Sequence, residues 1–186
     1  MAKKRKKPTV EERAAYHEAG HVIMAYLLRR RFRFATIDQN ELDKETKGLV
    51  RLAKLNRPWE DICLLDTNES RAKIEREIKV TLGGEVAEAL LVGRRNWLGA
   101  KDDIKNCINF CTSQSGSFEE AEAYLRWLWL GVQNNLKLRE HWAYVQAVAK
   151  ALLEHRRISY HKARTIIVEV KSNCRKKLFE NRDKNS

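Results

Sequence analysis

The sequence predicts a mainly α-helical domain with a small β-sheet or hairpin, on three kinds of observation. The chain of 186 residues holds only 8 Gly and 2 Pro while 33% of it is charged, a balance that favours helices over turns. Its 43% hydrophobic residues are spread along the chain, enough for one core. Apolar positions recur at helical spacing between capping signals. The expected organisation is a basic tail over residues 1–8, a single domain over 9–178 and a polar tail over 179–186.

Thr9-Val10-Glu11-Glu12 reads as a capping box that starts a helix. Ala15, Ala19, Val22, Ile23, Tyr26 and Leu27 then continue at helical spacing to Leu28-Arg29-Arg30-Arg31, whose charge suits a helix C-terminus. Residues 32–38 and 48–53 alternate in part and read as strands. Residues 54–68 contain Pro58 and read as an irregular connection. A long helix follows over about 69–92, marked by Ile74, Ile78, Leu82, Val86 and Ala89, with Gly93 as its C-cap. Gly83-Gly84 interrupts it at a cost of about 1–2 kcal/mol against alanine, so a close approach of another helix is expected there. Gly99 to Asp103 opens the next helix, to about Thr112. Ser117-Phe118-Glu119-Glu120 caps another, in which Trp127 and Trp129 read as core or as a partner surface. Residues 136–155 form a further helix, and Ser159 caps a last one to about Leu178.

Chemistry concentrates at His17-Glu18-Ala19-Gly20-His21. On a helix, residues i and i+4 stand on one face about 6 Å apart, so both imidazoles reach one cation. Tetrahedral zinc accepts imidazole nitrogens at this spacing. Glu18 lies roughly 100° round the helix, beside the ion rather than aimed at it, where a general base for a water belongs. Two of the chain's five histidines fall in this one pentad.

A catalytic zinc centre needs a further protein ligand and an open position. The extended motif with a third histidine on the same segment is absent, because Met24 and Leu27 occupy the needed positions. His141, His155 and His161 sit in charged helices, so Glu85, Glu88, Asp102 and Asp103 are the better candidates, and spacing does not choose among them. Cys63, Cys107, Cys111 and Cys174 are expected as thiols, with Cys107 and Cys111 as small buried side chains on one helix face.

Ala15-Tyr16-His17-Glu18-Ala19-Gly20-His21 resembles the active-site helix of the FtsH-type ATP-dependent zinc metalloproteases. Leu82-Gly83-Gly84-Glu85-Val86-Ala87-Glu88-Ala89-Leu90 is similar to that family's Gly-Gly-x-Ala-Ala-Glu helix. Gly99-Ala100-Lys101-Asp102-Asp103-Ile104 resembles its Gly-Ala-Ser-Asn-Asp block, with Lys101 and Asp102 in place of Ser-Asn, and Ala151 to Ser159 resembles its closing helices. The resemblance implies a helical, zincin-like peptidase domain that binds Zn²⁺ through His17, His21 and Asp103, with Glu18 as base. Glu88 becomes a supporting residue behind the ligands or an alternative ligand. The strand at Gly48, Leu49, Val50, Arg51 and Leu52 becomes the edge to which an extended substrate adds. The implied activity is zinc-dependent endoproteolysis of unfolded or flexible polypeptides. The alternative is a catalytically weak, peptidase-like binding or regulatory module that acts with a partner.

Other classes find less support. No Gly-x-x-x-x-Gly-Lys-[Ser/Thr] occurs, so no nucleotide site is expected and the chain reads as the peptidase part alone, without an ATPase module. The net charge of +12 gathers at the two ends, as in solvated tails, and no nucleic-acid motif accompanies it. No segment has the roughly 20 apolar residues of a membrane span, and no apolar stretch follows the basic N-terminus as in a signal peptide. A cytoplasmic location is therefore expected. The expected partners are a polypeptide substrate and, left open by the resemblance, a separate ATPase or further copies of the chain.

Overall fold

The computed structural model describes residues 7–42, 46–54, 62, 67–93 and 101–183, excluding the side chains of 101–103 and 177–183. The protein is mainly helical with one small sheet, the class its composition predicts. In chain order the elements are α1 (Val10–Leu27), β1 (Phe32–Thr36), β2 (Leu49–Leu52), α2 (Asn68–Val92), α3 (Lys101–Thr112), α4 (Phe118–Lys137), α5 (Arg139–His155), β3 (Arg157–Ser159) and α6 (Tyr160–Asp183). The expectations for residues 55–61, 63–66 and 94–100, Cys63 among them, lie outside the described residues.

The capping box forms at α1. Thr9 Oγ1 accepts from the Glu12 amide at 3.1 Å, and the Glu12 carboxylate accepts from the Thr9 amide at 2.7 Å. The helix ends at Leu27, before the arginine run that was expected to close it. Its last turn holds no basic residue, and Arg29 turns the chain at a left-handed φ of 56°. Arg30 instead reaches across to α2, where its Nε donates to Glu77 at 2.5 Å. Burial pushes the Glu77 pKa up, and Arg30 only partly opposes it.

α1 and α2 run antiparallel. Arg13 near the start of α1 meets Glu88 near the end of α2, and Arg30 just past α1 meets Glu77. Between these pairs the two backbones touch. A Cβ built on Gly20 would lie 2.1 Å from the Gly83 carbonyl oxygen, and one on Gly83 would lie 2.6 Å from that of Gly20. This is the close approach that the glycine pair predicts. It leaves α1 buried on all sides from Glu18 to Ala25. Thr67 caps the start of α2, and Gly93 ends it at φ 79° with its amide bonded to Ala89.

The sheet has the order β2-β1-β3 and is antiparallel throughout. Ala35 pairs with Val50 on one side and Ile158 on the other, so among the described residues β2 is an edge strand. The third strand was not expected from the sequence. It is three residues long, too short for alternation to register, and its Ser159 also caps α6 by accepting from the Lys162 amide at 3.2 Å. α6 continues beyond the Leu178 expected as its end.

The remaining helices close the core around α1 and α2, which contribute Ile23, Met24, Ile74, Ile78 and Leu82. α4 turns Leu128, Trp129, Val132 and Leu136 inward and leaves Trp127 exposed, so its two tryptophans divide between core and surface. Cys107 and Cys111 are buried on α3, and burial pushes the Cys111 thiol up to about 11. A buried thiol that far from ionising packs as a small apolar side chain. Among the described residues, no helix is long and apolar enough to cross a membrane.

Candidate metal centre

His17, Glu18 and His21 project from α1 where it crosses α2. Their ligand atoms all lie within 4.8 Å of one another, the one such grouping of three or more metal-binding side chains among the described residues. Glu18 and His21 are buried, and the two imidazoles meet edge to face with centroids 4.7 Å apart.

The far side of each ring is anchored to α2. His21 Nδ1 lies 2.9 Å from the Val80 carbonyl oxygen. A carbonyl only accepts, so Nδ1 carries the proton and the neutral ring keeps its lone pair on Nε2. His17 Nδ1 lies 3.3 Å from Glu88 Oε2, while Glu88 Oε1 accepts from Arg13 Nε at 2.7 Å and Nη2 at 2.5 Å. Burial by itself raises the Glu88 pKa. The hydrogen bonds and charges of His17 and Arg13 outweigh it and hold the carboxyl below its ordinary value. An ionised Glu88 accepts from His17 Nδ1 and leaves that ring's Nε2 as a donor to a cation as well. Such partners behind metal-binding histidines fix tautomer and ring orientation.

The two Nε2 atoms converge beside Gly84. A Cβ there would lie 2.4 Å from His21 Nε2 and 2.6 Å from His17 Nε2. Glu18 extends the other way, toward the start of β2, and a Cβ on Gly48 would lie 2.5 Å from both its Cγ and its Oε1. Two imidazole nitrogens with protonated far sides, a carboxylate alongside, and a glycine that keeps the space between them open all fit a zinc ion.

The other residues singled out in the sequence distribute as follows. Asp102 and Asp103 belong to the first turn of α3, and their side chains lie outside the described residues. Glu85 is fully buried on α2 and is not part of the grouping with His17 and His21. Glu88 stands behind His17, at Nδ1 rather than Nε2. Residues 49–52 form β2, with Gly48 just before it. His155 and His161 are exposed, and His141 Nδ1 contacts the Asn135 carbonyl at 2.9 Å, away from the centre. Two contributors went unnoticed in the sequence. Arg13 had a signal, since it stands at i−4 from His17 on the same helix face. Val80 had none, because it acts through its backbone.

No family model matches the chain. It is similar to the ATP-dependent zinc metalloprotease FtsH 2 of Symbiobacterium thermophilum, 28% identical over 169 residues that cover 87% of this chain and 26% of that protein. It is 30% identical to the FtsH of Marinobacter nauticus over 118 residues, 62% of this chain and 17% of that protein. With the human ATP-dependent zinc metalloprotease YME1L1 it shares 31% identity over 116 residues, 58% of this chain and 13% of that protein. The chain therefore spans about a quarter or less of the length of these curated relatives, from 13% to 26%. By name, they are all zinc metalloproteases.

Proposed function

We propose that this chain is a zinc-dependent endopeptidase domain that hydrolyses peptide bonds of unfolded or flexible polypeptides. The observation that carries the proposal is the convergence of His17, Glu18 and His21 within 4.8 Å, with both histidine Nδ1 atoms tied to α2. The names of its relatives agree with it.

His17 and His21 would hold the ion through Nε2, and Asp103 from α3 would complete the protein ligands. Zinc bound there supplies a Lewis acid that polarises a peptide carbonyl and makes a nearby water acidic. Glu18 accepts the proton of that water and returns it to the departing amine. Gly48 leaves room for the Glu18 carboxylate beside the centre. Glu88 and the Val80 carbonyl hold the two rings in place, and Arg13 in turn holds Glu88. An extended polypeptide would add along Gly48, Leu49, Val50, Arg51 and Leu52 by main-chain pairing, because among the described residues β2 is an edge strand. Main-chain pairing tolerates many sequences, and it requires a substrate segment that is already unfolded.

Hydrolysis of casein by the zinc-loaded protein tests the reading. Glu18→Gln should slow it by roughly 100-fold or more while zinc content stays equal, because a general base contributes about 10²–10⁴-fold. Wild-type protein that carries zinc yet leaves casein intact would sink the proposal, as would full activity in Glu18→Gln.

A further inference from the structure

The arginine run that follows α1 takes no part in the metal centre. Of Arg29, Arg30, Arg31 and Arg33, only Arg30 has an acidic partner among the described residues, the buried Glu77. Arg29, Arg31 and Arg33 are exposed. Arg31 is held beside the end of β2, where its carbonyl accepts from the Ala53 amide at 3.0 Å. Arg33 is the extra residue of a bulge, since Phe32 pairs with Leu52 while Phe34 pairs with Arg51. Arg51 is the exposed residue of β2, and Lys54, just past the strand, is exposed as well. Arg31, Arg33, Arg51 and Lys54 therefore gather at the end of β2 that lies away from Gly48 and the base. None of these cations has an ion pair among the described residues.

Two features decide what such a surface takes. It runs along an edge strand among the described residues, whose unpaired main-chain groups match an extended polypeptide and not a sugar–phosphate backbone. The aromatic ring on this face is also already in use. Phe34 shares a sheet face with Arg51, and its ring carries the Arg157 guanidinium at 3.8 Å from the centroid. Single-stranded nucleic acid is held by bases stacked on open rings as well as by cations. Arg157 in turn pairs with Glu41 at 2.6 Å, whereas Arg51 faces no acid.

We propose that Arg31, Arg33, Arg51 and Lys54 form a docking surface for acidic segments of an extended polypeptide that pairs with β2. An acidic residue opposite Arg51 in the added strand stands on the same face as the guanidinium, because directly opposed residues share a face. A strand rises about 3.3 Å per residue, so Arg51 lies about 10 Å along β2 from Gly48, beside which Glu18 stands. The acidic residues therefore belong about three to six positions to one side of the scissile bond, opposite Arg51 to Lys54. The proposal rests on the peptidase reading above and adds a substrate class that main-chain pairing alone does not select.

Fluorescence anisotropy tests it, on zinc-loaded Glu18→Gln protein so that peptides stay whole. Three labelled, unstructured peptides of equal length differ only at two adjacent positions, which are Glu-Glu, Gln-Gln or Lys-Lys. An opposite-charge pair across strands is worth roughly 1.4- to 5-fold in affinity and like charges are destabilising, so Glu-Glu should bind roughly 10-fold more tightly than Lys-Lys. The difference should fade toward about 1 M salt, where the screening length is about 3 Å. Arg51→Gln should bring the ratio toward unity, and Lys54→Glu should do the same even if Arg51→Gln perturbs β2. Arg126→Gln, at an exposed position on α4, changes the net charge as much as Arg51→Gln and should leave the ratio unaltered. A ratio that falls as far in Arg126→Gln would attribute the preference to net charge alone and overturn the docking surface. Equal affinities for the three peptides, or a preference that survives in both Arg51→Gln and Lys54→Glu, would overturn it too. So would an oligouridylate that binds more tightly than the Glu-Glu peptide and displaces it, which would make the surface a nucleic-acid site. Casein hydrolysis by the wild-type protein separates this from the peptidase reading. Charge preference without hydrolysis would retain the docking surface and remove the hydrolase. Hydrolysis without charge preference would retain the hydrolase and remove the docking surface.

Discussion

At Gly84 an alanine methyl would lie 2.4 Å from His21 Nε2 and 2.6 Å from His17 Nε2. In an ordinary helix interior, Gly→Ala is favourable by about 0.8–1 kcal/mol. Here the methyl would occupy the space into which both nitrogens point, and the imidazoles would have to swing off their Val80 and Glu88 anchors. Gly84→Ala is therefore expected to weaken zinc binding by roughly 10–100-fold, the range seen when the groups that orient metal-bound histidines are lost. Competition against a chromophoric chelator measures it. Unchanged affinity would mean that the ion is not held between these two rings. Gly83, one residue earlier, is a glycine for a different reason: it faces the Gly20 backbone.

The α1–α2 crossing is the element on which the centre depends. Its two ends carry ion pairs, Arg13 with Glu88 and Arg30 with Glu77. Its middle is backbone against backbone, and this contact is what brings the Val80 carbonyl within reach of His21. A methyl at Gly20 would stand 2.1 Å from the Gly83 carbonyl oxygen and 2.7 Å from the Ala87 Cβ, neither of which is the flexible end of a side chain. The helices would have to separate. Overpacking of this kind costs about 1–3 kcal/mol, so Gly20→Ala should lower the urea midpoint of the metal-free protein by an amount in that range. It should weaken zinc binding as well, because the helix that anchors both rings moves away. An unaltered midpoint would show that the crossing yields without strain.

Across the whole molecule, a zinc ion shared by His17, His21 and Asp103 would join α1 to α3, whose Ile104 and Cys107 are buried in the core. A ligand that binds only the folded state stabilises it by about 2.7 kcal/mol at a concentration 100 times its Kd. Thermal unfolding should therefore shift upward with added zinc and return with a chelator. In Asp103→Ala the shift at the same zinc concentration should shrink, since one of three protein ligands is gone. An equal shift in that variant would assign the third ligand to another residue.

Much of this protein is legible without coordinates. Capping chemistry marked the start of α1 at Thr9, and spacing marked α2 from Ile74 to Ala89, because both signals are local in the chain. The same locality made His17, Glu18 and His21 recognisable as a candidate metal site, since i, i+4 geometry is set by the helix itself. The sequence could announce that Gly83-Gly84 needed a reason but not that the two glycines answer to different neighbours, one to a backbone and one to two imidazoles. The Arg13–Glu88–His17 chain, the Val80 carbonyl under His21 and the strand at Arg157–Ser159 were decided only by the tertiary structure. Each joins segments far apart in sequence or works through backbone atoms, and neither leaves a periodic trace in residue type.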